Sequence, residues 1–553
     1  MTDTFDHIIV GGGSAGSLLA YRLAEGGRSV CVLEAGPPDR SPFILLPAGF
    51  IKTLANPKLT WRYAMEPSAG TGGRTLPIVQ GRTLGGSSAI NGAIYNRGGA
   101  ADFDGWAALG NPGWGFADIL PYFRRTERRL SASADPVYRG SEGRLPIGTN
   151  ALGAPVAHAF IASAVEQGLP RNADHNAGDQ FGVGYSQSAI ANGLRVSAAR
   201  AFLHPARGRW NVDVRTNALV SRILIENGEA QGVEYRPAPG AAPRRIFARA
   251  GVILAAGTFN TPRLLQLSGI GPGEVLREAG VEVRHALAGV GENLRDHYTT
   301  RLVARGQPGM DSVNQRVQGW RLGREALRWL LRRPNALGIS PALIHVFGRS
   351  SGAVSAPDLF LVFAPGSYRE GQVGKLDTFP GLSCGACCVR PDSRGTVRIA
   401  SADDRAAPRI RPNYLDTEHD RRVQVAACRL ARAIISGTPM QPYVAAETLP
   451  GPDVQTDDEW LDFSRRKGGT AYHPVGTARM GPGNDAGAVV DPSLRVHGIG
   501  RLHVVDASVM PTLVSANTYA ATLMIAEKGA DMILGRAPLP PAALPSPPRA
   551  TAR

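Results

Sequence analysis

The first thirty-six residues order their apolar and small positions as strand, turn, helix, strand. The run "FDHIIV" (5–10) suits a buried strand, and "GGGSAG" (11–16) is a glycine turn. "SLLAYRLAEGG" (17–27) repeats its apolar residues at helical spacing, and "SVCVLEAG" (29–36) returns to a strand. Further strands are predicted at 249–257 and 501–508, and 212–226 reads as a hairpin or as two sheet edges. Residues 300–470 mix a helical run, "VQGWRLGREALRWLLRR" (317–333), with strand-like pieces at 357–365 and 395–401. Near the end, "TYAATLMIAEKGADMIL" (518–534) is a long helix. The pattern is that of an α/β protein, and no internal repeat interrupts it.

At 553 residues the chain exceeds what one hydrophobic core serves, so two or more domains are expected. The apolar share of 43% and charged share of 19% mark a soluble globular protein. No apolar run is long enough to cross a bilayer, and the acidic N-terminus leaves no room for an export signal. The formal charge of +15 raises the question of a nucleic-acid partner. Its arginines are dispersed, however, and runs such as "FRRTERRL" (123–130) include acid and fit a solvated helix face, so no nucleic-acid partner is expected. Five cysteines suit reduced thiols, and "CGACC" (384–388) reads as buried strand cysteines, with no metal site. The Pro/Ala-rich residues 536–553 are expected to be a disordered tail.

The glycine turn carries the first chemistry. Gly11, Gly13 and Gly16 fit the dinucleotide fingerprint in its required place, after a strand and opening a helix. The first permits the tight turn, the second lets a pyrophosphate approach the backbone, and the third allows close helix–strand packing. Amides at the helix N-terminus, at Ser14 and Ala15, face the phosphates. Glu34, followed by Ala35, ends the second strand, where a carboxylate accepts from ribose hydroxyls and repels a 2′-phosphate. An NAD enzyme would complete its nucleotide fold in one stretch. Here the later strand-end motifs, "VILAAGTFNTP" (252–262) and "LHVVDASVMP" (502–511), are far apart. That layout suits FAD threaded deep into the protein, with Asp506 offering a carboxylate to a ribityl or ribose hydroxyl.

Four segments together resemble the glucose–methanol–choline (GMC) flavoprotein oxidoreductases, nearest to their bacterial choline and alcohol dehydrogenase branch. They are "IIVGGGSAG…CVLEAG", "GRTLGGSSAINGAIYNRG" (81–98), "GTFNTPRLLQLSGIGP" (257–272), and the C-terminal stretch from "YHPVGTARMG" to "VVDASVMPTLVSANTYAATL". The resemblance runs from about residue 5 to 535. It implies a Rossmann-like FAD-binding domain from 1–130, 205–300 and 470–535. Residues 131–204 and 301–469 then form a substrate-binding domain with an antiparallel sheet and flanking helices. Ile90 stands where some relatives attach FAD through histidine, so a non-covalent flavin is implied. Ala478 replaces a cysteine common in relatives, with little chemical consequence.

The resemblance implies oxidation of an alcohol to an aldehyde or ketone by hydride transfer to flavin N5. His473 is then the general base and Asn517 its partner. An alcohol proton is weakly acidic, and imidazole is the natural base for it near neutral pH. Asn517 donates an amide to the developing alkoxide, and its position also suits an N-cap for the last helix, whose N-terminus favours negative charge on the reduced flavin. Gly85, Gly86, Ser87 and Asn91 let the chain hug the cofactor, and Val220, Ala507 and Thr518 are further contacts carried over by family position. Tyr472 and Phe363 are candidate pocket walls. The Asp296–His297 pair is left out as structural, as are His7, His158, His345 and His419. Electrons pass to a quinone or other carrier. The alternatives are an oxidase releasing hydrogen peroxide from dioxygen, and a hydroxynitrile lyase with structural FAD. A cytoplasmic enzyme is expected, peripheral to the membrane if a quinone is the acceptor.

Overall fold

The computed structural model describes residues 3–131, 134–150, 152–238, 240–369 and 375–545. Ile8, Ile9 and Val10 place the strand Thr4–Val10 in the middle of a seven-stranded sheet, flanked in parallel by Val30–Leu33 and Arg244–Leu254. Every residue of Val30–Leu33 is buried, as a parallel strand covered on both faces requires. The stretch at 212–226 proves to be two sheet edges. Val212–Arg215 pairs with Val30–Leu33, whereas Leu219–Glu226 lies at the far edge beyond Glu229–Arg236. Leu502–Val504 joins Arg244–Leu254 in parallel, drawing the C-terminal region into the sheet that the N-terminus begins.

The helix Ser14–Glu25 packs against the final helix Tyr519–Ile533. Arg22 pairs with Glu527 and Asp531 in that contact, and Arg125 bridges the same two acids. A second sheet, antiparallel throughout, runs Val444–Leu449, Tyr298–Gly306, Gly381–Cys388, Leu359–Ala364, Ile344–Gly348, Gly182–Tyr185. The helices Glu418–Ser436 and Pro155–Glu166 cover one face of it. This is the mixed α/β architecture expected, a Rossmann-like sheet from dispersed segments beside an antiparallel one. Cys384, Cys387 and Cys388 are buried thiols on Gly381–Cys388. Thr396–Arg398, from the piece at 395–401, belongs instead to a four-stranded sheet with Arg409–Arg411, Thr60–Met65 and Leu76–Gly81.

Three expectations are corrected here. Phe363 faces the core, fully buried and stacked on Phe160 with ring centroids 4.1 Å apart, rather than standing in a pocket wall. "FRRTERRL" is no solvated helix face: the helix Phe116–Thr126 ends within it, and Phe123 and Glu127 are fully buried. Residues 536–545 are not disordered. The Leu539 amide donates to the Tyr122 hydroxyl at 3.0 Å and the Ala542 amide to the Ala117 carbonyl at 2.9 Å, with Leu539 and Ala542 resting on the core. Alanine and leucine among the prolines supply the apolar contacts that a purely compositional reading discounts. Residues 546–553 of that tail lie outside the described residues.

Glu127 is the hinge of a buried ionic group. It accepts from Arg97 at 2.6 Å and from Arg139 at 2.8 Å, and Arg139 also meets Asp174. Burial alone would raise the Glu127 carboxyl, but the two guanidiniums outweigh it and hold it below its ordinary 4.5. Because the folded value lies below the unfolded one, this stabilisation is present above about pH 4.5 and is lost as pH falls below it. We predict that Glu127→Gln destabilises the fold at pH 7 by roughly 3–5 kcal/mol, the cost of stranding buried charge. Thermal melts of both proteins should converge below pH 4.5, and equal melting at pH 7 would refute the assignment.

Candidate functional site

The glycine turn closes on itself in the way a phosphate-binding loop requires. Gly11, at φ +105°, leaves a Cβ no room against the Ala255 carbonyl, and a Cβ at Gly16 would run into the Gly11 carbonyl. At Gly13 a Cβ would make only ordinary contact, 3.8 Å from the Gly86 Cα and 4.0 Å from the Ala255 carbonyl. No side chain caps the helix Ser14–Glu25, which leaves the amides of its first turn, at Ser14 and Ala15, for a ligand. The second glycine-rich block is bonded to the first: the Gly85 amide donates to the Gly12 carbonyl at 2.7 Å, and Gly86, at φ +52°, lies against Gly13. Ser87 is exposed beside them, its hydroxyl accepting from the Gly81 amide at 3.1 Å.

Glu34 borders the same turn, next to half-buried Ala35, and accepts from the amides of Gly12 and Gly36. Burial pushes its carboxyl up to about 7, against the pull of those amides and of Arg82. Each oxygen keeps a lone pair for a ribose hydroxyl. The tight glycine turn, the uncapped helix and this acid fit the adenosine diphosphate half of a dinucleotide. Val220 is buried in Leu219–Glu226 at the far edge of the sheet, and Asn91 accepts from the Ala93 amide and Arg195. Asp506 does something other than expected. Its carboxylate accepts from the Gly257 amide, Thr261 hydroxyl, Ser508 amide and Ser508 hydroxyl, so it fastens two loops and has no lone pair left for a cofactor hydroxyl. Ala507, half-buried, accepts through its carbonyl from the Gly476 amide.

His473 is aimed by a local break in strand pairing. Tyr298 pairs with Thr470, and Arg295 bridges to Val475. Between those pairs the earlier strand has two residues and the later one four, so the later strand must bulge. Tyr472 takes up the bulge at φ +65°, exposed at the rim, and turns the following imidazole inward. Asp296 accepts from the His473 amide at 2.8 Å and also from the Thr470 and Tyr414 hydroxyls. Burial lifts its carboxyl to about 6 despite those donors. Thr258 grips the next residue, donating to the Pro474 carbonyl at 2.7 Å. The loop is held at every step.

The imidazole sits in a chain of five side chains whose proton positions follow from one carbonyl. The Val389 carbonyl can only accept, so His297 Nε2, 2.9 Å away, carries a proton and donates. In the neutral ring His297 Nδ1 is then an acceptor, and His473 Nδ1, at 2.9 Å, must be the donor to it. The lone pair of His473 is thereby fixed on Nε2, which accepts from Asn517 Nδ2 at 2.8 Å. Asn517 Oδ1 accepts from Asn96 Nδ2 at 3.1 Å, and that same amide reaches His345 Nδ1 at 3.2 Å. Burial pushes the His473 imidazolium well below its ordinary range, with the neighbouring His297 adding to the effect. Burial likewise brings His297 down to about 4. Both rings are neutral at pH 7.

Of the expected residues the structure joins His473 to Asn517, and the glycines of the two blocks to one another. It assigns the N-cap differently: Thr518 precedes the helix Tyr519–Ile533, and Asn517 spends its side chain on His473 and Asn96. Asn517 is placed from behind, since Asp102 accepts from the amide and hydroxyl of Ser515 and Gln180 donates to the Ser515 carbonyl. Asp296, His297, Asn96 and His345 were missed. Asp296 and His297 lie 176 or more residues from His473, and only the adjacency "DH" signalled them. Asn96 and His345 offered no local signal. Among the described residues Cys388, His419 and Asp420 converge within 4.8 Å, but burial holds Cys388 as the thiol and Asp420 caps the amides of Asp392 and Ser393.

Comparison with known proteins gives the family. Residues 5–299 match the N-terminal and residues 391–526 the C-terminal sequence profile described as GMC oxidoreductase. An oxygen-dependent choline dehydrogenase of Staphylococcus aureus (strain MSSA476) is 41% identical over 550 residues, covering 97% of this chain and 95% of the relative. Among solved structures, pyridoxine 4-oxidase from Mesorbium loti superposes with a TM-score of 0.85 at 32% identity over 95% of this chain and 98% of its own. Formate oxidase of Aspergillus oryzae RIB40 gives 0.88 at 26% identity over 96% and 99%. The matched profiles span the glycine cradle, Glu34 and the His473–Asn517 pair alike, and the chain belongs to the GMC oxidoreductase family, FAD-dependent enzymes that oxidise CH–OH groups.

Proposed function

We propose that the chain oxidises an alcohol to an aldehyde or ketone, with His473 Nε2 taking the hydroxyl proton and Asn517 holding the oxygen. The observation that carries this reading is the lone pair of His473, fixed on Nε2 by His297 and the Val389 carbonyl and directed at the Asn517 amide. A hydroxyl entering between them donates to the imidazole and accepts from the carboxamide, so one pair of side chains serves both ends of the O–H group. As negative charge grows on that oxygen the amide donor stabilises it in a water-poor pocket. FAD, when bound, supplies the acceptor for the hydride leaving carbon. Gly11, Gly13, Ser14, Ala15 and Glu34, with Gly85, Gly86 and Ser87, would hold it, joined by Ala35, Asn91, Val220, Ala507 and Thr518, and Ile90 offers no histidine for covalent attachment. Tyr472 stands at the rim as a pocket wall.

The two sheets support a division into an FAD-binding part (1–130, 205–300, 470–535) and a substrate-binding part (131–204, 301–469). All strands of the parallel-centred sheet lie within the former. Tyr298–Gly306 and Gly469–Thr470 straddle the boundary, and they are the strands that carry the His297–His473 contact. A second reading of the acceptor, dioxygen in place of a quinone or other carrier, is favoured by the oxygen-dependent and oxidase relatives. Stoichiometric peroxide release during turnover would select it, and dye reduction without peroxide would select a carrier. Choline belongs in the substrate panel beside aliphatic and aryl alcohols, each scored by anaerobic bleaching of the flavin. Absence of bleaching by every alcohol would favour the lyase alternative.

The proton arrangement makes three predictions. His473→Ala should keep FAD bound and slow anaerobic flavin reduction by about 10²-fold or more, so an unchanged rate removes His473 from its role. In the unaltered enzyme the reduction rate should stay level as pH falls through 6.5, because burial depresses the His473 imidazolium and the base remains free there. His297→Phe removes the acceptor that fixes the His473 tautomer. It should slow reduction by about tenfold and move the acid limb of the profile upward, since His297, which takes its own proton near pH 4, no longer opposes the His473 imidazolium there. A slower rate with an unmoved acid limb would reduce His297 to packing.

A further inference from the structure

The helix Trp320–Leu330 is built inside out. Among its residues Glu325 is fully buried, accepting from the Ala336 amide, while Trp320 is 74% and Leu330 69% exposed. Trp320, Leu327, Leu330 and, just past its end, Leu331 fall on one outward ridge at helical spacing, and Leu327 and Leu331 are more than half exposed. Trp329 is the inward tether, its indole N–H donating to the Gly193 carbonyl at 2.8 Å. Arginines at 321, 324, 328, 332 and 333 flank the ridge against the single acid Glu325. A groove of about 700 Å³ opens where the inner side of this helix meets the Leu194–Arg195 hairpin. Its lining includes Arg128, Arg144, Arg195, Arg200 and Arg332 against one acid, Glu142.

We propose that this helix is a docking surface for an anionic lipid bilayer, its tryptophan–leucine ridge lying in the interface and its arginines meeting lipid phosphates. A ridge of large apolar side chains left in water is the signature of an interaction site, and arginine beside tryptophan and leucine is the composition of an interfacial helix. Charge decides the occupant. A second copy would bring the same arginines face to face on a chain of net charge +15, whereas an anionic surface complements both the helix and the groove. A nucleic acid would satisfy the arginines but leave Leu327, Leu330 and Leu331 in water. Arginine stems also reach outward past an apolar ridge, so one surface can bury leucine and hold phosphate together. No helix among the described residues is long and apolar enough to cross a membrane, so the contact is with the surface. The inference is independent of the alcohol chemistry.

The test uses the full-length holoenzyme with vesicles of phosphatidylcholine alone or with about one-third phosphatidylglycerol. Co-sedimentation should favour the anionic vesicles at least tenfold and weaken as salt is raised. Leu327→Gln/Leu330→Gln/Leu331→Gln should lose at least tenfold in partitioning, as should Arg321→Gln/Arg324→Gln/Arg333→Gln at low salt. Brominated lipid should quench tryptophan fluorescence in the native protein and not in Trp320→Phe. Melting temperature and alcohol-dependent dye reduction in solution should be unchanged in all three, showing the fold intact. No partitioning at low salt, equal partitioning of the leucine variant, or undiminished quenching in Trp320→Phe would overturn the proposal. So would a lipid-free dimer that the leucine changes abolish, or equally tight binding to duplex DNA.

Discussion

One hydrogen bond, from His473 Nδ1–H to His297 Nδ1, fixes the chemistry of the site. It is directional because His297 must give its other proton to the Val389 carbonyl, which has nothing to give back. From there every donor and acceptor as far as His345 has a single consistent assignment. The surrounding fold serves this line. The bulge at Tyr472, the Asp296 carboxylate and the Thr258 hydroxyl hold the His473 backbone, while Asp102 and Gln180 hold the loop before Asn517. Arg97, next to Asn96, is locked by Glu127 within the buried ionic group. Even the second proton on the Asn96 amide is spent on a defined partner.

What the sequence made legible was whatever is local. The fingerprint glycines and Glu34 lie within one strand–helix–strand unit, so spacing alone exposes them. His473 and Asn517 stood out because their surroundings resemble a family. His297 and His345 did not, because their significance is a matter of register. His297 matters through the pairing of Tyr298 with Thr470, and His345 through a sheet that draws on strands from residue 182 to residue 449. Phe363 misled for a related reason. In a buried strand, apolar residues on both faces give no sign of which face meets a pocket, and the stack on Phe160 settled it. Asp506 was placed correctly at a strand end yet misjudged in role, since a carboxylate's partners cannot be read from its own segment.

The distribution of arginine follows the same division. A count of +15 says nothing of where charge is spent. Inside, Arg22, Arg97 and Arg139 are matched to carboxylates and act as mortar between distant segments. Outside, the arginines of the helix Trp320–Leu330 stand beside exposed leucine and have little acid to answer them. Compensated charge builds the fold, and the uncompensated remainder marks the face that meets something else.

The base we propose poses a physical problem. A buried imidazole stays neutral and free at every working pH, but a depressed basicity also weakens its pull on a proton as poorly acidic as an alcohol's. In a serine–histidine–aspartate arrangement a carboxylate against the ring repays the charge that forms. Here Asp296 touches the His473 backbone amide, and the ring meets only a neutral imidazole and a carboxamide. Among the described residues no carboxylate bonds the ring, and the neutral His297 acceptor offsets little of an imidazolium's charge. Under the proposed function, such a ring would suit proton transfer concerted with hydride loss from carbon rather than full deprotonation beforehand. A carboxylate in the place of His297 would strengthen the base but would also hold the proton after turnover. If His473 is the base we propose, a neutral partner would let it release the proton, and the contact is made by a second histidine whose own proton is committed elsewhere.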